Sequence, residues 1–380
     1  MKQILNITES LSERAGGLAN ATLNLALNTS INLPAHHITI VSQKDKIEVD
    51  STLSAKPSNL SIKKIDCFRN PVFPYSFGLY NFISDLHPNL IHLRGLWRQP
   101  SLTCSHWKQN HPDTVLVVQP AGMLEPWARK RKGFLKQIYY SLLESALLDS
   151  CDAIHATSVS EANNLISMGL PAQKMFVIEE GINMPTDTSV HSVKVKPSGA
   201  KKELLFLSRI HPKKGIELLL MALSLIRPQN WTCKIVGMGS IAYENTLKQY
   251  VHRLGLDDLV QFHGPVYRRD KDLIFGQADA FILPTYSENF GIAIAEAMSW
   301  GLPVITTTGT PWSALSNPSL GWYVEPTIND ICFALFELFN KSDSELLLMG
   351  SHCKSYVEAN FSWHSVGAKM ATKYLSLLSN

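Results

Sequence analysis

Two carboxylates stand in an otherwise apolar run, "SENFGIAIAEAMSWGLPVITT" at 287–307. Glu288 directly precedes a helical pattern and Glu296 lies inside it. At ~1.5 Å rise per residue the two acids are ~8–12 Å apart. The carboxyls of a retaining glycosidase sit ~5–5.5 Å apart, so the spacing argues against hydrolysis. Acids too distant to share a proton can each accept hydrogen bonds from a pair of hydroxyls, which suits one long, hydroxyl-rich ligand. The plainer reading is that Glu288 caps the helix and Glu296 pairs with a lysine or arginine. Spacing alone does not separate the two.

The elements around these acids place them. "AFILPT" (280–285) reads as a strand, "YSEN" as the turn after it, and "FGIAIAEAMSW" as a helix stopped by Gly301 and Pro303 before the strand "PVITTT". Glu288 therefore belongs to a strand-to-helix loop at the carboxyl edge of a sheet, where parallel α/β sheets take ligands. Asn289 is the expected N-cap, and Gly291 permits close approach to the backbone. Open amides at a helix start favour an anion. Similar short apolar runs, at 3–8, 37–42, 89–94, 114–120, 153–158 and 175–181 and again at 204–209, 233–239 and 260–266, alternate with helical patterns. That alternation predicts parallel sheets covered on both faces. The expected fold is α/β, two doubly wound Rossmann-like domains facing a central cleft. "MPTDTSVHSVKVKPSGAKK" (184–202) reads as a linker and sets the boundary near 195. The domains are then 1–195 and 196–362, with a last helix in 363–380 crossing back onto the first.

Bulk properties narrow the class. A chain of 380 residues exceeds the size of one ordinary core. Its net charge of +3 is too small for a dedicated nucleic-acid binder. The six cysteines (67, 104, 151, 233, 332 and 353) show no paired spacing, which argues against zinc and disulfides and for a reducing compartment. No run approaches the ~18 apolar residues of a membrane span, and the start of the chain does not read as a signal peptide. The expected location is cytoplasmic.

"SENFGIAIAEAMSWGLPVI" resembles the E-x7-E segment of the retaining glycosyltransferases of family four, which have the GT-B fold. The N-F-G after the first Glu, the E-A-M around the second and the G-x-P-V-I beyond carry the match. The resemblance implies that Glu288, Asn289, Phe290, Gly291 and Ile292 face the sugar and phosphates of a nucleotide-sugar donor, a UDP- or GDP-sugar. Glu296 then takes the ribose. "LLFLSRIHPKKGIELLL" supplies Arg209 at a strand end and Lys214 just before Gly215, similar to the family's pyrophosphate clamp. A departing diphosphate needs its charge met by a metal or by fixed cations; Arg offers a planar fork of donors and Lys a compact charge. Solvated turn charges are the alternative, and they describe Lys213 better than Arg209.

Gly16 and Gly17, between the first strand and a helix, match the family's N-terminal glycine loop. Gly237, in "VGMGS", is expected near the donor, and "FHGPV" ending at Val266 around the base. "VGMGS" lacks the third glycine of a dinucleotide fingerprint, so a nicotinamide cofactor is not expected. Asp270 and Asp272 form a D-x-D in "RRDKDLIFGQAD", read as acids opening a helix, with no bound metal.

The first half carries the acceptor side. His92, Arg94 and Trp97 in "NLIHLRGLWRQPS" and Gly122 in "QPAGML" resemble acceptor segments of the family. Relatives often have a second His where Arg94 stands and Arg where Ala121 stands. "VIEEGIN" (177–183) puts Glu179 and Glu180 where a proline and an asparagine are usual. A lone strand histidine is more often packed than catalytic. Arg129, Lys130, Arg131, Lys132 and Lys136, followed by Phe134, Ile138, Tyr139 and Leu142, suit either an anionic membrane surface reached through 129–142 or a solvated basic face. The resemblance as a whole implies a retaining, metal-independent transferase acting on a saccharide or lipid-linked saccharide of bacterial surface polysaccharide. A nucleotide-sugar epimerase of the same fold and a non-catalytic nucleotide-sugar-binding subunit are the rival readings.

Overall fold

The computed structural model describes residues 1–11, 17–43, 56–66, 68–69, 74–75, 77–97, 99–124, 144–185, 200–266 and 269–379. The chain divides into two compact units, Met1–Gly181 with Trp363–Asn380, and Ile182–Ser362. The expected boundary near 195 lies outside the described residues.

In the first unit the strands are β1 (Gln3–Thr8), β2 (His37–Gln43), β3 (Leu60–Ile65), β6 (Leu90–Arg94), β7 (Val115–Gln119), β8 (Ala153–Ala156) and β9 (Met175–Val177), with a small antiparallel pair, β4 (Phe68–Arg69) and β5 (Pro74–Tyr75), apart from them. The main sheet runs β3-β2-β1-β6-β7-β8-β9 and every pairing in it is parallel. The second unit holds β10 (Lys202–Leu207), β11 (Trp231–Val236), β12 (Val260–Phe262), β13 (Ala280–Leu283), β14 (Val304–Thr307) and β15 (Gly321–Val324). These form an all-parallel sheet in the order β12-β11-β10-β13-β14-β15. In each sheet the order reverses once, between β1 and β6 and between β10 and β13. That reversal opens a crevice at the carboxyl ends of the two strands, the usual ligand position in such sheets.

Burial explains the strands. All four residues of β13 and of β14 and all five of β6 are buried, as strands with helices on both faces require. Ile282, Val304 and Ile305 are fully inaccessible, each contributing about 1.5–3 kcal/mol by leaving water. Beside the small pair β4 and β5, two strands of the main sheets were not expected from the sequence, β3 and β15. Both are sheet edges, and each has one fully buried residue. An edge strand faces a partner on one side only, so it needs no continuous apolar run.

Helix Trp363–Ser379 belongs to the first unit, where it packs along helix Gly17–Asn32. The helix before it, Asp343–Phe361, starts at a capping box: Ser342 accepts from the Glu345 amide, and Glu345 accepts from the Ser342 amide at 2.8 Å. Ser362 ends that helix in extended geometry.

Candidate functional site

The reversal point of the second sheet collects the residues singled out at 209–215 and 284–291. The loop after β10 carries Arg209 and Lys214; the loop after β13 carries Glu288. Backbone and side-chain bonds lace them together. The Lys213 carbonyl accepts from the Tyr286 amide at 2.9 Å and from the Thr285 hydroxyl at 3.0 Å. The Glu288 amide donates to the Gly309 carbonyl at 2.7 Å, tying in the loop after β14. Across this lacing Lys214 Nζ forms an ion pair with Glu288 Oε2. The lysine side chain is 7% exposed and the glutamate 21%, so the carboxylate is the more accessible partner.

Glycine makes the close approach possible. Gly215 has φ +68°, and a Cβ there would lie 1.9 Å from the Pro284 carbonyl oxygen. Gly237, after β11, would place a Cβ 1.9 Å from the Ser208 carbonyl oxygen. Any side chain at either position would push the loops apart. Arg209 is exposed in the loop after β10, and among the described residues none pairs with its guanidinium. Val266 closes the described part of the loop after β12 and is half-buried.

The structure revises the start of the following helix. Its N-cap is Gly291, at φ +82°, and not Asn289; no side chain caps it. Gly291 itself supplies no side-chain acceptor to the first amides of helix Ile292–Ser299. Phe290 presents no ring to a ligand. Its ring is buried against Trp312 and Phe361, with centroids at 5.3 and 5.4 Å, and its carbonyl accepts from Trp312 Nε1 at 2.5 Å. Only its backbone can serve a donor. Ile292 is exposed.

Glu296 has its own cation. Lys271 Nζ lies 2.5 Å from Glu296 Oε1 and 2.6 Å from Oε2. Burial pushes the Glu296 carboxyl above its ordinary value, and the Lys271 charge and hydrogen bond oppose that rise. Asp270 and Asp272 stand in the first turn of helix Arg269–Gln277, as expected. The lysine between them was not singled out from the sequence. Nothing local marks it, because its partner is 25 residues away.

In the first unit, His92 is fully buried on β6. Its Nδ1 lies 2.7 Å from the Tyr374 hydroxyl and its Nε2 3.3 Å from His155 Nδ1. His155 Nε2 lies 2.7 Å from the Ile178 carbonyl, which can only accept. The protons are thereby assigned: His155 donates from Nε2, His92 donates from Nε2 to His155 Nδ1, and Tyr374 donates to His92 Nδ1. The Asn6 amide, 3.3 Å from the Tyr374 oxygen, completes the series when turned over, which also gives its otherwise unpartnered Nδ2 an acceptor. Burial holds both imidazoles neutral, His155 at about 3 and His92 well below the ordinary value. No ring nitrogen of His92 is left for an acceptor.

Arg94 is buried too. Its Nη2 pairs with Glu180 Oε1 at 2.9 Å, and Gln119 Nε2 donates to the same oxygen at 3.0 Å. Gln119 in turn accepts from Arg94 Nε. Trp97 adopts φ +69°, and its amide donates to Glu144 Oε1 at 2.7 Å. Glu144 is fully buried and, mainly for that reason, pushed up to about 7. The Gly122 amide donates to Glu161 Oε1 at 2.5 Å, while Glu161 Oε2 accepts from the Thr157 amide at 2.7 Å. Of these three buried or near-buried acids, Glu180 was marked in the sequence only as a departure from the family pattern, and Glu144 and Glu161 were not singled out. Gly17 opens the helix after β1. Gly16 and the basic segment 129–142 lie outside the described residues. Among the described residues no helix is long and apolar enough to cross a membrane.

Comparison with known proteins agrees with this layout. Residues 188–332 match the model of the glycosyl transferases group 1, and residues 61–181 that of a glycosyl transferase 4-like domain. Among curated relatives, a D-inositol 3-phosphate glycosyltransferase of Arthrobacter sp. (strain FB24) is 30% identical over 43% of this chain and 41% of its own. A GDP-mannose-dependent alpha-(1-6)-phosphatidylinositol monomannoside mannosyltransferase of Mycobacterium tuberculosis is 30% identical over 46% of this chain and 47% of its own. The chain thus spans about half the length of the curated relatives it matches. The solved structure of Anabaena HepE in complex with UDP and glucose is similar over 99% of this chain and 100% of that one, with a TM-score of 0.70 at 17% identity. The chain thus holds a glycosyl transferase 4-like domain followed by a glycosyl transferases group 1 domain, and it has the GT-B fold.

Proposed function

We propose that the chain transfers a sugar from a UDP- or GDP-sugar to a hydroxyl acceptor, with retention of anomeric configuration and without a metal. One observation carries this reading. Lys214 and Glu288 pair between the loops that follow adjacent strands β10 and β13, beside an exposed Arg209, at the reversal point of the sheet. A cation for a diphosphate and a carboxylate for sugar hydroxyls are the two things such a donor demands. The UDP and glucose bound by HepE and the GDP-mannose dependence of the mycobacterial relative support the same class of donor.

The step balances without a side-chain nucleophile. The bond between the anomeric carbon and the diphosphate oxygen breaks, and the acceptor oxygen bonds to that carbon from the same face. The acceptor's proton passes to the departing phosphate oxygen. Arg209, Lys214 and the uncapped amides at Ile292 meet the charge that develops on the diphosphate. Glu288 holds the sugar's hydroxyls so that the anomeric carbon is presented in one orientation. The acceptor is a saccharide or lipid-linked saccharide of bacterial surface polysaccharide, reached at the inner face of the membrane through the basic segment 129–142. Reversing the charge at Lys130 and Lys132 should lower sedimentation with anionic liposomes, and unchanged sedimentation removes this part of the reading.

The deciding experiment measures nucleoside diphosphate released from UDP- and GDP-sugars with and without acceptor. Release that needs acceptor, is insensitive to chelator and yields a product of the donor's anomeric configuration supports the reading. Acceptor-independent conversion to an epimer, or binding with no turnover, replaces it with one of the two rivals.

A further inference from the structure

Each acid of the candidate site already has a lysine in the ligand-free protein, Lys214 for Glu288 and Lys271 for Glu296. The second pair has the more specific geometry. Lys271 bridges both oxygens of Glu296, at 2.5 and 2.6 Å, from a helix that begins just past the "FHGPV" loop. Lys271 Nζ also lies 5.9 Å from the centroid of the buried Phe275 ring, one turn further along the same helix. Glu296 is in turn fixed on helix Ile292–Ser299, whose neighbouring residues Ala295 and Ala297 are fully buried.

We propose that Lys271 is a positioning residue for the nucleoside, holding Glu296 aimed so that it can receive the vicinal diol of a ribose. This rests on the donor reading above. A carboxylate offers about four acceptor positions, two on each oxygen. The ammonium occupies one on each and leaves one on each, matching two adjacent hydroxyls. Glu296 is 25% exposed, so those positions are within a ligand's reach. Lys271 and Asp272 are the charged groups acting on Glu296, and they act in opposite directions. Without Lys271, burial and Asp272 both favour the protonated carboxyl, which can accept fewer hydrogen bonds from the diol.

The test is calorimetric titration of UDP, GDP and ADP, and of their 2′,3′-dideoxy forms, into wild type, Lys271→Met, Lys271→Arg and Glu296→Gln. Binding should weaken as pH falls and Glu296 takes up a proton, and it should do so at a higher pH in Lys271→Met than in wild type, because the Lys271 charge and hydrogen bond oppose the rise. Lys271→Arg should restore the wild-type profile. Glu296→Gln should bind weakly at every pH and lose the preference for ribose over the dideoxy form. Circular dichroism and melting of each variant separate misfolding from mispositioning. A Lys271→Met variant with the wild-type profile, beside a weak Glu296→Gln, overturns the inference and leaves the donor reading intact. A Glu296→Gln variant that binds like wild type also overturns it, by placing the ribose elsewhere. Wild type that binds none of the three diphosphates defeats the donor reading, and this inference with it.

Discussion

Arg94 and Glu180 form a buried ion pair at 2.9 Å, joining the end of β6 to the segment after β9. A buried arginine needs an acid within reach, and the glutamate in "VIEEGIN" supplies it, with Gln119 bonded to both partners. Replacing Glu180 alone by Ala strands a buried guanidinium and should cost about 3–5 kcal/mol. Replacing Arg94 and Glu180 together by Ala should cost less than the sum of the two single Ala changes. Urea denaturation of the four proteins in this cycle measures it, and additive losses would mean that the pair is not coupled.

The reversal-point residues should separate stability from turnover. Arg209 is exposed, so Arg209→Ala should leave the melting temperature unchanged while lowering kcat about 10²–10³-fold, as loss of a charge-stabilising donor does. Glu288→Ala should lose a similar factor in transfer. It also frees Lys214, whose side chain is only 7% exposed, so a modest loss of stability should accompany the loss of rate. Near-normal kcat in either variant removes these residues from the chemistry.

The imidazole pair predicts an acid limit for the first unit. His92 and His155 are neutral when folded and take up protons when unfolded, where the ordinary value is 6.5. The unfolded state therefore binds more protons below that value, and stability falls as pH drops from 6.5 towards the folded His155 value of about 3. The slope approaches ~1.4 kcal/mol per pH unit for each ring. Tyr374→Phe deprives His92 Nδ1 of its donor and should cost about 1–3 kcal/mol at neutral pH. Urea midpoints measured across this range test both statements.

Glu144 works in the opposite sense. Its folded value of about 7 exceeds the ordinary 4.5, so the folded state holds an extra proton between them and stability falls as pH rises across that window. Glu144→Gln keeps an oxygen for the Trp97 amide and removes the titration. The variant should therefore gain stability relative to wild type as pH rises to about 8, beyond its folded value. An unchanged difference between the two proteins across the window would show that Glu144 stays ionised when folded.

The sequence made the central strands legible because burial on both faces leaves a largely apolar run, unbroken in β13. It hid β3 and β15, whose single free edges tolerate "LSIKKI" and a short "GWYV". The acids and cations at strand ends were legible through motif spacing, and Lys214 and Glu288 do meet. Their partners in packing were not. Lys271 finds Glu296 across 25 residues and Arg94 finds Glu180 across 86, distances over which no local pattern operates. The helix start was misplaced by two residues because a left-handed glycine, rather than the side chain of Asn289, ends the loop.

Tyr374 arrives late in synthesis, yet its hydroxyl completes a hydrogen-bonded series inside the sheet that β1 begins. A ribosome making this protein emits every strand of that first sheet long before the helix that seals it. Residues 182–362 have all their partners by then and can close first. The first 181 residues must wait, half-assembled, for the helix Trp363–Ser379. A nascent chain halted anywhere short of residue 374 should thus be a ready client for chaperones and proteases.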